Sequence, residues 1–154
     1  MKIPTTLRHK PVIITEDYDK IDGIYAGDTE AKGLSLGLAQ WNDRGKVDIS
    51  AKVWKHTGGK WSNTSEELPL HRVIDLAILI CKTRRYFDGK IPAKQYEQDP
   101  AVGAIPYDGG DMEISVCTDN PMINEDLRLF REALAGEPYL DERLRTLAAV
   151  LKDD

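Results

Sequence analysis

The chain is poor in the residues that most often announce chemistry. Its 154 residues include two cysteines, three histidines, three tryptophans and two phenylalanines. Two thiols exclude a disulfide framework, and Cys81 and Cys117, each among apolar neighbours, are expected to be buried in a reducing compartment. His9, His56 and His71 have no short ligand spacing with one another or with the cysteines, so no metal and no cofactor is assigned. The glycine pairs sit between strands, which excludes a P-loop and a dinucleotide fingerprint. The longest apolar run, Val73 to Cys81, is too short to span a bilayer and contains Asp75, and the first fifteen residues hold no apolar signal core. A cytoplasmic, non-membrane protein is expected. The Asn63-Thr64-Ser65 triplet is formally a glycosylation acceptor and has no meaning without secretion.

Positive charge is also in short supply. With 21 Lys and Arg against 26 Asp and Glu, the net charge of -5 repels phosphate backbones and anionic lipid, so nucleic acid is not an expected partner. The cationic run Lys82, Arg84 and Arg85 falls where a helix should end and complements the negative end of its dipole. No repeat or low-complexity segment is present. The length suits a single domain over residues 1–154, able to bury roughly 70% of its unfolded surface.

What the chain does hold is pattern. Pro11 to Thr15 is a β-branched run that predicts a strand, followed from Glu16 to Lys32 by an acidic loop with an extended piece at Ile24-Tyr25. That loop lacks the glycine and terminal glutamate of a calcium loop. From Gly33 to Gln40 the chain alternates, with Leu34, Leu36 and Leu38 on one face; Val47 to Trp54 alternates too. Turn chemistry at Asn42-Asp43-Arg44-Gly45 joins them, and pairing apolar with apolar matches Leu34 to Val53, Leu36 to Ala51 and Leu38 to Ile49. Gly58-Gly59 can take the positive φ of a two-residue primed turn, which brings Trp61 to the same face as Trp54.

Thr64 to Glu67 supplies hydroxyls and carboxylates before a helix over Leu70 to Phe87. Eight of nine residues from Val73 to Cys81 are apolar, so this helix must be covered on several sides, and the leucine face of the meander is the expected cover. Asp88 to Tyr107 reads as an irregular connection with a helical turn near Ala93 to Glu97. A turn at Asp108-Gly109-Gly110 then leads into a strand from Met112 to Cys117. A helix follows from Pro121 behind an Asn120 cap, with Gly136 as its stop, and a last helix runs from Pro138 to Lys152. The fold class is therefore α+β: an antiparallel β-meander packed against one long apolar helix, with two further C-terminal helices.

Two groups are candidate sites. Trp54, Trp61 and His56, beside Lys52 and Asp48, make an aromatic and polar face of the kind that small ligands and protein partners use. The same face could instead be core beneath a C-terminal helix. His71 and Asp75, at i and i+4 on the long helix with Glu67 nearby, have the arrangement of a carboxylate-oriented general base. A structural pair that satisfies Asp75 explains them more cheaply. Asp108, Asp111 and Glu113 are explained by an exposed acidic turn.

The stretches KGLSLGLAQWNDRGKVDISAKVWKHTGGKW and SEELPLHRVIDLAILIC resemble a family of small uncharacterised bacterial proteins, a domain of unknown function, over most of Pro4 to Phe87 and more weakly beyond. The resemblance implies a bacterial cytosolic protein and nothing about activity. A non-enzymatic binding or regulatory module working through the tryptophan face, with a homodimer as one form, is the first expectation. A small hydrolase-like enzyme using His71 and Asp75 is the alternative.

Overall fold

Three long strands follow from the alternating segments: β1 (Lys10–Glu16), β2 (Ala31–Leu38) and β3 (Ile49–Thr57), antiparallel in that order. The computed structural model describes residues 1–43, 47–62, 66–89 and 95–153, which gather into two compact units, residues 1–75 and 76–154. In the first unit β2 meets β3 in the expected register, with Leu34 opposite Val53, Leu36 opposite Ala51 and Leu38 opposite Ile49. A slip by one residue would set leucines against lysine and serine. Gly58 and Gly59, at φ 58° and 81°, close the second hairpin, so that β4 (Lys60–Trp61) pairs His56 with Trp61. A fifth strand, β5 (Glu67–Pro69), lies on the same edge of β3 and sets Glu67 opposite Lys52.

Two expectations for this region are corrected. Ile24 and Tyr25 lie in a 3-10 turn, Gly23–Tyr25, not in an extended piece. More consequentially, the leucine face is not the covered one. Leu36 and Leu38 are 43% and 40% exposed, whereas Ser35, Ser50, Lys52 and Trp54 on the opposite face are buried. The physical reason is steric. Gly33, Ser35 and Gly37 present almost no side chain: the segment before β1 lies down on the first two, where a Cβ on Gly33 would meet the Ile3 side chain at 2.7 Å and His9 bonds Ser35, and a Cβ on Gly37 would collide with the Lys10 carbonyl at the start of β1. In the first turn, Asn42 and Asp48 exchange hydrogen bonds. Arg44 and Gly45, the Asn63-Thr64-Ser65 triplet, and Pro92 and Ala93 lie outside the described residues.

Helix α1 (Leu70–Asp88) begins in the first unit and continues into the second, which adds β6 (Ala101–Tyr107), β7 (Gly110–Ser115), α2 (Ile123–Ala135) and α3 (Pro138–Lys152). The β6–β7 hairpin replaces the irregular connection expected up to Tyr107. Gly103 and Pro106 obscured it, but a two-stranded sheet is all edge and tolerates proline. The 3-10 turn at Gln95–Glu97 is the described part of the helical turn expected there. Asn120 accepts from the Met122 amide, so α2 starts later than Pro121, and Gly136 ends it without a left-handed residue. In α3, Pro138 follows Glu137, whose carboxylate accepts from the Tyr139 amide.

No residue of α1 is fully buried, and Val73, Ile74, Leu76, Leu79 and Ile80 all remain exposed, against the expectation of cover on several sides. Cys81 and Cys117 are exposed free thiols, not buried ones. Apolar sequence neighbours on a helix point up to 100° away from one another, so they said little about the direction of Cys81 itself. No helix among the described residues is long and apolar enough to cross a membrane.

Candidate functional site

Strand alternation places Ser35 of β2, Ser50, Lys52 and Trp54 of β3, and Glu67 of β5 on one face, and the segment before β1 drops His9 onto it. The result is a buried chain of hydrogen bonds. His9 Nδ1 lies 2.7 Å from Glu67 Oε1 and 3.0 Å from Ser50 Oγ, and His9 Nε2 lies 2.9 Å from Ser35 Oγ. Trp54 Nε1 donates to Ser35 Oγ at 2.8 Å, while the Ser50 hydroxyl and the Gln40 amide donate to Glu67 Oε1 at 2.6 and 3.1 Å. One arrangement of hydrogens satisfies the ring and both hydroxyls: Trp54 N–H to Ser35, Ser35 O–H to His9 Nε2, His9 Nδ1–H to Glu67.

The electrostatics follow from enclosure. Burial pushes the Glu67 carboxyl up, but the donors from Ser50, the Gln40 amide and His9 outweigh it and hold the group below the usual glutamate value. Burial pushes the Lys52 ammonium down, partly offset by the Glu67 charge. The Lys52 ammonium lies 4.6 Å from the centroid of the Trp54 ring, a cation–π contact that compensates some of its lost hydration. Glu67 Oε2 is buried with no hydrogen-bond partner among the described residues.

Ser35, His9 and Glu67 thus line up as a hydroxyl, an imidazole and a carboxylate, and Gly33-Leu34-Ser35-Leu36-Gly37 even spells G-x-S-x-G. In hydrolases that spelling puts the serine on a sharp strand-to-helix turn where substrate reaches it. Here Ser35 sits mid-strand and buried, its hydroxyl already bonded to Trp54 and His9. The arrangement can hold a proton and fasten the segment before β1 to the sheet; it does not present a nucleophile.

A second feature lies wholly in the second unit. A cavity of about 410 Å³ is walled by Leu79, Ile80, Thr83, Tyr86 and Phe87 of α1, by Val102 of β6, by Ile114 and Ser115 of β7 with Val116 and Cys117 beyond it, and by Ile123, Leu127, Phe130 and Leu134 of α2 with Leu140 of α3. Among the described residues no charged side chain lines it. Phe87 and Phe130 meet at 6.2 Å between centroids, and the Arg84–Asp141 ion pair ties α1 to α3. Its volume falls in the range of small-molecule sites, and Thr83, Tyr86, Ser115 and Cys117 give it a few polar atoms.

One family covers the chain along its whole length, matching residues 1–154. The protein belongs to the family of unknown function DUF6530. No curated protein and no solved structure matches it. Membership agrees with the resemblance read over most of Pro4 to Phe87 and more weakly beyond, and takes in α2 and α3 in full.

The structure distributes the residues singled out in the sequence. Trp54 and Lys52 are buried; Trp61 and His56 are half-buried, stacked edge-on at 5.2 Å, with Trp61 also 5.9 Å from Trp54. Asp48 accepts from the Trp41 indole at 2.8 Å, away from those rings along β3. His71 is exposed on α1, and Glu67 is engaged by His9, Ser50 and the Gln40 amide. His9 and Ser35 were missed. The available signal was the run of small residues at every second position opposite the leucines, which demands a neighbour at close range.

Proposed function

We propose that this DUF6530 protein is a non-enzymatic binding module whose ligand is a small, uncharged, largely apolar molecule held in the cavity of the second unit. The observation that carries the reading is the cavity wall: about 410 Å³ of space with aliphatic and aromatic sides and no charged side chain among the described residues. Such a wall would bind an ionic ligand poorly, because nothing in it compensates lost hydration. The aromatic face of the first unit supports binding less well, since Trp54 and Lys52 are already occupied within the chain. A hydrolase built on His71 and Asp75 has no added support from Glu67, which is committed elsewhere. The setting we propose is the bacterial cytosol, on the family resemblance.

Titration with an uncharged apolar dye such as N-phenyl-1-naphthylamine tests the reading. Saturable binding at one site is expected, lost in an Ile80→Phe/Leu127→Phe variant whose added ring atoms fill the space. Absence of saturable binding, or an unchanged affinity in the filled variant, would overturn it.

A further inference from the structure

Tyr86, Phe87 and Phe130, the aromatic side chains of the cavity wall, form a series. Tyr86 and Phe87 are neighbours near the end of α1 and meet edge to face at 5.4 Å, and Phe87 in turn meets Phe130 of α2 at 6.2 Å, with 54° between the ring planes. Ring quadrupoles favour such edge-on and tilted contacts, which are worth something beyond the area they bury.

The members of the series differ in what they still offer. Phe87 is flanked by Tyr86 and Phe130, and the Arg131 guanidinium lies over its ring at 5.7 Å. Phe130 stands at the other extreme: Phe87 is the ring it meets among the described residues, and it is 52% exposed although it lines the cavity. Leu79 and Ile80 of the same wall are each 39% exposed. Where the cavity wall reaches solvent, it therefore presents two aliphatic side chains and one ring with room for a second ring against it.

An aliphatic guest would gain only burial from this wall. An aromatic guest would gain burial and, against Phe130, a contact that continues the series begun at Tyr86. A charged ring would lose its hydration to a wall that holds no charged side chain among the described residues. Building on the cavity as a small-molecule site, we infer that its guest carries an uncharged aromatic ring and that Phe130 is the residue that selects for it.

Competition against N-phenyl-1-naphthylamine, with benzyl alcohol and cyclohexylmethanol as competitors, tests this. Both are neutral alcohols, and the saturated ring is the more hydrophobic, so burial alone ranks cyclohexylmethanol first. Benzyl alcohol is expected to displace the dye from the wild type at the lower concentration. In Phe130→Leu, which keeps an apolar side chain and removes the ring, that preference should fall by about threefold to tenfold; in Phe130→Tyr, which keeps the ring, it should persist. The ratio of two competitors on one variant is independent of how tightly that variant holds the dye. Cyclohexylmethanol as the tighter competitor, no displacement by either alcohol, a preference unchanged in Phe130→Leu, or one lost equally in Phe130→Tyr would each overturn the aromatic guest while saturable dye binding still upholds the cavity as a site. Absence of saturable dye binding would overturn both.

Discussion

The two units solve the covering of their elements in opposite ways. In the first, the enclosed surface is polar: hydrogen bonds link an imidazole, a carboxylate and two hydroxyls beneath the segment before β1, with the Lys52 ammonium buried beside them, while Leu36 and Leu38 on the other side of the sheet stay exposed. In the second, the walls are apolar and leave a cavity. Hydrophobicity marks what burial would favour, but steric access decides which face a neighbouring segment can reach. Gly33 gave that access to the serine side.

The sharpest way to break this contrast is to remove His9. His9→Ala leaves the Glu67 carboxylate buried with one donor fewer, a change expected to cost about 3 kcal/mol. All three tryptophans lie in the first unit, so urea unfolding followed by indole fluorescence reads it directly. If the fluorescence transition does not move, the network does not hold the sheet face. Gly37→Ala should follow with about 1–3 kcal/mol, because its methyl group collides with the Lys10 backbone and disturbs the start of the β1–β2 pairing. In the second unit Leu127→Ala should cost only about 1–2 kcal/mol, below the usual range for a packed leucine, since the cavity already deprives that side chain of partner atoms. A loss as large as in the first unit would show the cavity to be tightly closed around it.

Acid offers a finer probe. Glu67 titrates below its unfolded value in the folded chain, so its contribution is fully present above the unfolded value and is lost as pH falls through the folded one. Stability of the first unit should therefore decline below about pH 4.5, and Glu67→Gln should flatten that decline; an equally steep profile in the variant would assign the acid sensitivity elsewhere. The smallest effect is expected at the surface. Lys55 pairs with Glu66 at 2.8 Å with both side chains solvated, and Lys55→Ala should change stability by no more than about 0.5 kcal/mol in the same urea assay.

Much of the fold was legible because its signals are local. The β2–β3 register follows from a two-residue period and one choice of pairing, the Gly58-Gly59 hairpin from turn chemistry, and α3 from its apolar residues at helical spacing. The face that would be covered was not legible, since alternation describes two sides without saying which is approached. Nor was β6, where Gly103 and Pro106 speak for a loop and only pairing with β7 decides. The polar network was hidden for a third reason: His9, Ser35, Ser50 and Glu67 come from four separate stretches, and no spacing connects them.

That dispersal bears on how the chain acquires its structure. His9 finds Ser50 across 41 positions and Glu67 across 58. During synthesis the ring is therefore made long before its acceptors, and the meander of β2 and β3 can form while residues 1–9 still hang free. Contacts at such separation lower the folding rate, because loop closure precedes any gain from them. The segment that seals the sheet is thus made before the sheet itself, and its hydrogen bonds can all close only once the chain has been made as far as Glu67.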